Sequence, residues 1–166
     1  CLSAAETAWK AALANPGIYA SNTPGSGGGN YLDDNVSDEF YWAAAELYLT
    51  TAGEEYRTYL LASDHFGAFT SFDWASTAPL GSISLLTVPN DLPAEQKAVI
   101  EKNLLAFADE LLAVQAQDGY GVLIQGDYPW GSNGLVLNNM LLVALAYQIN
   151  GDSRYLDATR QGMDYI

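Results

Sequence analysis

Positive charge is scarce in this sequence. Its 166 residues include six lysines and arginines against 20 aspartates and glutamates, which gives a formal net charge of −14. A chain with this charge repels nucleic acid and anionic membrane surfaces, so neither is expected as a partner. Neutral or cationic ligands are favoured instead.

Cysteine, histidine and long apolar runs are also scarce. Cys1 has no second cysteine to pair with, so the chain forms no internal disulfide and its redox compartment stays open. His65 has no second histidine and no nearby cysteine, which argues against a zinc site and favours a packing role in a loop. The most apolar stretch, residues 135–147, is interrupted by Asn138 and Asn139, so it does not predict a membrane span.

Helical periodicity, by contrast, is abundant. Hydrophobic residues make up 49% of the chain, which is enough for one substantial core and so for one domain or part of one. Ser37 or Asp38 is the predicted cap of the second helix, and Gly53 is its predicted end. The spacing of apolar residues predicts helices over residues 2–14, 36–53, 54–63 and 93–114, and a helix pair within 126–166.

Three long segments between these helices have the composition of loops. Residues 21–30 are rich in glycine, whereas residues 64–81 and 117–134 combine aromatic residues with small polar ones. Long loops of this kind tend to carry function. Residues 80–88 fit either a short buried helix or a strand, since periodicity cannot separate the two.

The chain contains an internal repeat. "AELYLTTAGEEYRTYL" and "VALAYQINGDSRYLDA" each combine an apolar helix ending in Tyr, a Gly, an acidic residue and a second helix opened by Tyr. The first helix of each pair is apolar nearly all round and the second is amphipathic, which predicts an inner layer wrapped by an outer one. The expected arrangement is a toroid of helix hairpins with the site at one end. The matched residues lie 98 or 99 positions apart: Tyr48 and Tyr147, Gly53 and Gly151, and Tyr56 and Tyr155.

Specific motifs also resemble a known family. Asp-Glu and Trp-Ala-Ala-Ala-Glu-Leu-Tyr stand in "NVSDEFYWAAAELYLTTAGEEY", and Trp-Gly-Ser-Asn opens "YPWGSNGLVLNNMLLVALAYQINGDSRYLDATRQGMDYI". In this order the groupings resemble the catalytic domain of glycoside hydrolase family 9, over nearly the whole chain. The resemblance implies an all-α fold forming part of an (α/α)6 barrel. It also implies an inverting hydrolase, cellulase-like or cellobiohydrolase-like, acting on β-1,4-glucan or a related polysaccharide.

The departures from the family pattern are equally informative. The family places its catalytic base in an Asp-Ala-Gly-Asp motif before this region and its acid in an Asn-Glu motif after it, and neither motif occurs here. The family's His and Arg substrate-binding segment is also absent. The resemblance therefore predicts that residues 1–166 are the central portion of one catalytic domain, incomplete at both ends, with no catalytic residue of its own. It further implies a secreted protein, although the first residues lack the pattern of a signal peptide.

The resemblance assigns substrate-binding candidates to the loops. Trp130, held between Pro and Gly, resembles the aromatic platform on which a glucose ring stacks. Other candidates are polar groups beside it, a second aromatic subsite, and a cleft-rim segment. These candidates are Asp127 and Tyr128, then Asp73 and Trp74, and finally Tyr31 and Asp33.

The acidic segment "YLDDNVSDE" admits three interpretations. Paired carboxylates can perform acid and base catalysis, but helix capping and dipole complementation already explain Asp38 and Glu39 at a helix start. Oxygen-rich loops also bind calcium, yet the spacing of a calcium loop is missing here. No cofactor is predicted for this chain, while a structural calcium ion in the complete protein stays open.

Two other classes of protein remain as alternatives. A prenyl-transfer or terpenoid enzyme would also be helical and acidic, but the acid after Asp33 and Asp34 comes one residue too late for its Asp-Asp-x-x-Asp motif. Few basic residues are available to hold a diphosphate. A non-catalytic carbohydrate-binding or scaffold module is the second alternative. The sequence does not predict the oligomeric state.

Overall fold

A computed structural model describes residues 1–19, 33 and 35–166. Within these residues every regular element is an α-helix, apart from a single isolated β-bridge between Asp73 and Ser76. None of the described helices is long and apolar enough to cross a bilayer. The predicted glycine-rich loop at residues 21–30 lies outside the described residues. The helices are α1 (Leu2–Ala14), α2 (Ser37–Thr51), α3 (Glu54–Ala62), α4 (Ala78–Thr87), α5 (Ala94–Gln115), α6 (Ser132–Asn150) and α7 (Ser153–Tyr165).

The helices pack around two adjoining hydrophobic clusters. The first cluster surrounds α2, which packs against α1, α3 and α4, and has the fully buried Tyr41 and Leu60 at its centre. The second surrounds α6, which packs against α5 and α7, and includes Leu104 and Tyr155. Helices α4 and α5 contribute side chains to both clusters and join them. The segment 80–88, which the sequence left ambiguous, lies almost entirely within α4. Because α4 is buried on several sides, its apolar residues do not follow the spacing of a one-sided helix.

A glycine allows α2 and α4 to approach closely. A Cβ atom added to Gly81 would lie 3.0 Å from Cε1 of Tyr41 and 3.2 Å from Cα of Trp42. The second of these atoms belongs to the backbone, which cannot move aside as a flexible side chain can. The tight contact between the two helices therefore requires glycine at this position.

The repeated hairpins are present and keep the predicted pairing of Tyr48 with Tyr147, but the predicted glycine pair is shifted by one residue. Ala52 ends α2 with a φ of 54° and donates its N–H to the carbonyl of Tyr48 at 2.7 Å. Gly151 ends α6 with a φ of 73° and donates to the carbonyl of Tyr147 at 2.8 Å. Gly151 thus corresponds to Ala52, and the prediction that Gly53 ends α2 is wrong. Gly53 instead precedes α3 in extended backbone.

Two apolar surfaces stay exposed among the described residues. A groove of about 1020 Å³ runs between α1 and α2 and is lined by residues that include Leu2, Phe40 and Leu47. On α6, the side chains of Leu137 and Leu141 are 43% and 49% exposed and follow one side of the helix. Contiguous apolar surfaces of this kind are typical of faces that pack against further structure.

Candidate carbohydrate-binding end of the helices

Helices α4 and α6 are each entered from a long connection, and the connections that follow α2, α4 and α6 are shorter. The connections before α4 and α6 are residues 63–77 and 116–131. The turns after α2 and α6 contain two residues each, 52–53 and 151–152. Long loops and shorter connections therefore alternate along the chain. If α2, α4 and α6 run in the same direction, the long loops lie at one end of these helices.

Hydrogen bonds between distant residues establish that common direction. The backbone N–H of Thr77, just before α4, donates to the Asp38 carboxylate in the first turn of α2 at 2.6 Å. The side chain of Asn138, in the second turn of α6, donates to the carbonyl of Phe72 at 2.8 Å. The N-terminal ends of α2, α4 and α6 consequently lie on the same side of the molecule, together with their loops. We call this side the loop end.

Trp130 extends from the loop end immediately before α6. Its side chain is 98% exposed. Gly131 follows with a φ of 77°, and the N–H of Ser132 donates to the carbonyl of Pro129 at 3.1 Å, which closes a tight turn around the tryptophan. The turn holds the aromatic ring away from the helix, as a platform for stacking against a flat ligand would require.

Asp118 organises the rest of the same loop. Its carboxylate accepts the backbone N–H groups of Tyr120 at 2.8 Å and Val122 at 3.1 Å, and the hydroxyl of Tyr128 at 3.3 Å. The hydrogen bonds from Val122 and Tyr120 lower the pKa of Asp118 because they favour its charged form. The Tyr128 hydroxyl is thus already engaged as a donor, whereas the side chain of Asp127 is exposed beside it.

Asp73 and Trp74 lie on the other described loop, residues 63–77. The Asp73 carboxylate accepts the N–H of Ala75 at 2.9 Å, and the Asp73 and Ser76 backbones exchange two hydrogen bonds. These bonds form a small turn that presents Trp74, which is 58% exposed. Asp73 therefore shapes the turn, and Trp74 is its exposed aromatic side chain. Asn138 of α6 binds the Phe72 carbonyl just before this turn.

The predicted rim segment is described only in part. Tyr31 lies outside the described residues. Asp33 is half-buried and accepts the N–H of Asn35 through Oδ1 at 2.9 Å. Its Oδ2 atom is buried and has no hydrogen-bond partner among the described residues.

The prediction that Ser37 or Asp38 caps α2 is wrong, although Asp38 and Glu39 do lie in its first turn. Val36 is the N-cap of this helix, and no side chain makes a capping hydrogen bond there. Asp38 instead joins α2 to Thr77. Although burial opposes ionisation of Asp38, the Thr77 N–H and a hydrogen bond with Glu39 lower its pKa. Burial and that same hydrogen bond raise the pKa of Glu39 to about 7.

A small polar pocket of about 190 Å³ lies between the start of α2 and loop 63–77. His65 lines it together with Asp38, and the His65 Nε2 atom lies 2.8 Å from the Ser37 hydroxyl. In the part of the chain that the structure describes, no group of three or more His, Cys, Asp or Glu side chains is arranged to hold a metal ion. The described residues therefore do not fit a calcium site built from three carboxylates.

Comparison with known proteins identifies the family. The profile described as glycosyl hydrolase family 9 matches residues 1–166. The chain belongs to glycosyl hydrolase family 9.

Two curated relatives of this family 9 chain are cellulases by name. It is 42% identical to a cellulose 1,4-beta-cellobiosidase of Acetivibrio thermocellus, over all of this chain and 22% of that protein. It is 47% identical to endoglucanase C of Cellulomonas fimi, over 99% of this chain and 16% of that protein. The chain therefore spans about a fifth of the length of these relatives.

A solved structure gives the same result for the fold. The family 9 chain superimposes on a metagenome-derived glycoside hydrolase family 9 endoglucanase with a TM-score of 0.88 and 30% identity. The match covers 98% of this chain and 30% of that one. The prediction of an all-helical part of an (α/α)6 barrel is confirmed.

The residues that organise the loop end were not identified from the sequence. Asn138 appeared only as an interruption of an apolar run, and Thr77 carried no signal at all. Asp118 stands in "QDGYG", where an aspartate before glycine is typical of a turn stabilised by its own side chain. That local pattern was sufficient to predict the role of Asp118, whereas the two long-range contacts have no local pattern.

Proposed function

We propose that this chain is the central portion of the catalytic domain of an inverting glycoside hydrolase that cleaves β-1,4-glucan or a related polysaccharide. The match to family 9 over all 166 residues carries the proposal. The names of the two curated relatives describe the cleavage of cellulose in one case and of a glucan in the other. A secreted location follows from an insoluble extracellular substrate.

In this proposal the loop end forms walls of the substrate cleft. Trp130 and Trp74 stack against sugar rings, because the C–H face of a glucose unit packs on an aromatic ring. The polar candidates contact hydroxyl groups directly or hold the aromatic turns in place. The net charge of −14 is compatible with a neutral sugar chain. The polar candidates are Asp127, Tyr128, Asp73, Tyr31 and Asp33.

The reaction proposed for the complete domain is a single displacement. One carboxylate activates a water molecule, and a second carboxylic acid protonates the leaving oxygen. The family motifs that carry both groups are absent from this chain. Residues 1–166 thus contribute binding and orientation of the substrate.

The test is hydrolysis by the complete protein that contains this chain. Purified protein should cleave cellohexaose, and proton NMR of the first products should show the inverted α-anomer. The β-anomer as first product would contradict the inverting mechanism, and no turnover of any β-glucan would contradict the proposed function. The separate 166-residue chain should be inactive, because it contains neither catalytic motif.

A non-catalytic carbohydrate-binding module is the second candidate, and the exposed aromatic side chains Trp130 and Trp74 would serve it equally well. It predicts that the complete protein binds cellohexaose without cleaving it. Calorimetric titration together with product analysis by chromatography separates the two functions.

A further inference from the structure

Two consecutive asparagines on α6 each bind a different loop. The side chain of Asn138 donates to the Phe72 carbonyl at 2.8 Å, and that of Asn139 donates to the Leu123 carbonyl at 2.7 Å. Phe72 belongs to the loop of Trp74, and Leu123 to the loop of Trp130. The second and third turns of α6 thus hold the main chains of both aromatic loops.

The contact with Phe72 fixes a point close to Trp74. The Phe72 ring is buried in the same cluster as Val136 and Met140 of α6. Its carbonyl is bound by Asn138, so the main chain of Phe72 is attached to α6 while its ring lies in the cluster that this helix helps to form. Trp74 lies only two positions further along the chain, a span of at most about 7 Å. A movement of the Phe72 backbone would therefore displace the tryptophan ring.

Position 138 requires a side chain that can donate a hydrogen bond. Asn138 is half-buried in a helix that is otherwise rich in leucine and valine. Burial of an amide in such surroundings is unfavourable unless it forms a hydrogen bond. A leucine would pack at this position but would leave the Phe72 carbonyl without this donor.

We propose that Asn138 is a positioning residue for sugar binding, which sets the place and orientation of Trp74 by holding the Phe72 carbonyl. This proposal rests on the proposed function, because it assumes that Trp74 contacts the glucan. Asn138 itself does not contact the substrate. Its removal therefore weakens binding through the tryptophan and not through the reacting groups.

The primary test is Asn138→Asp in the complete protein, with cellohexaose as the probe. Aspartate keeps the shape of asparagine but presents a carboxylate oxygen to the Phe72 carbonyl, so the hydrogen bond becomes a repulsion. KM should rise about tenfold while kcat changes less than about threefold, as expected for lost binding of the substrate. Unchanged KM in a folded variant would overturn the proposal.

Asn150→Asp is the matched control. Asn150 lies at the other end of α6, where its Oδ1 atom accepts the N–H of Asp152 at 2.9 Å. A carboxylate accepts this N–H equally well, so the same chemical change leaves this contact intact. KM and kcat should match those of the unmodified protein. A rise in KM equal to that of Asn138→Asp would show that a negative charge on α6 is the cause, and would overturn the proposal.

A double-mutant cycle decides whether Asn138 acts through Trp74. If it does, Asn138→Asp combined with Trp74→Ala should raise KM no further than Trp74→Ala does alone. Multiplying effects would show that Asn138 acts independently of Trp74. If the aspartate variant does not fold, Asn138→Ala removes the donor without adding charge and enters the same cycle. Absence of activity in the unmodified protein would instead refute the proposed function.

Discussion

The carboxylate of Asp38 accepts two hydrogen bonds from Thr77, the N–H at 2.6 Å and the hydroxyl at 3.2 Å. Thr77 ends the loop that carries Trp74, so this contact fixes the loop against α2. Both residues are buried. Asp38→Ala leaves a buried N–H without its partner and should cost about 2–3 kcal/mol of unfolding free energy.

Chemical denaturation of the complete protein measures that loss, with Asp157→Ala as the control. Asp157 pairs with Arg160 at 3.4 Å, and both side chains are 69% exposed. Removal of such a surface pair should change stability by less than about 1 kcal/mol. Equal losses in the two variants would show that the Asp38 contact contributes no more than an exposed ion pair.

Ala52 and Gly151 end the first helix of each hairpin in the same backbone conformation, so the effect of exchanging alanine and glycine can be tested at both positions. Ala52 adopts the left-handed conformation with a φ of 54°, whereas Gly151 adopts it with a φ of 73°. Ala52→Gly should therefore stabilise the protein by about 1 kcal/mol, because glycine is not strained there.

The reverse exchange, Gly151→Ala, should destabilise it by a similar amount. A Cβ atom on Gly151 meets no atom within 4 Å, so the expected effect is conformational and not steric. Denaturant midpoints of both variants test the pair. Changes of the same sign would contradict the structural correspondence.

Glu39 should make stability fall with rising pH. Its pKa rises from about 4.5 when exposed to about 7 in the folded chain. A carboxyl group with a raised pKa stabilises the fold fully below its unfolded value, and that contribution disappears as the pH rises through 7. Glu39→Gln cannot ionise, so this part of the pH dependence should disappear.

The free energy of unfolding, obtained from thermal unfolding between pH 5 and pH 8.5, measures this effect. The unmodified protein should lose on the order of 1–2 kcal/mol more than Glu39→Gln across that interval. Asp38 does not produce the same trend, because its pKa is lowered and its contribution is lost only at acidic pH. Parallel curves for the two proteins would show that Glu39 titrates as an exposed carboxyl group does.

Trp130→Ala should weaken cellohexaose binding in the complete protein by about 1–3 kcal/mol, by analogy with the stacking of rings on aromatic side chains. Tyr120→Ala is the control, since Tyr120 is 82% exposed on the same loop and contacts Asp118 through its backbone N–H. Calorimetry gives both dissociation constants. An unchanged constant for Trp130→Ala would remove this residue from the binding site.

Local patterns predicted the helices better than the site. Helix α1 was predicted from its periodicity with the bounds that the structure shows, and the opening of α5 at Pro93 is confirmed. Helix α4 was ambiguous because its burial on several sides leaves no clear apolar stripe. The pairing of Gly53 with Gly151 was wrong because glycine was assumed at a helix end where alanine stands.

The contacts of the loop end could not be predicted, because they join residues that are distant in sequence. The hydrogen bond from Asn138 to Phe72 spans 66 residues, and that from Thr77 to Asp38 spans 39. No periodicity relates such positions. Asp38 was expected to cap α2 because it stands at the predicted start of that helix. In the structure its carboxylate instead accepts the buried N–H of Thr77.

The contrast between long entries and two-residue exits of α2 and α6 has a consequence for evolution. An insertion in a two-residue turn would shift one helix of a hairpin against its partner, and the core contacts would be lost with it. An insertion in the exposed part of the loop before α4 or α6 leaves the helix hairpins in place. Under the proposed function, the loop end is the side of the molecule on which the accepted polysaccharide can change while the helix hairpins stay constant.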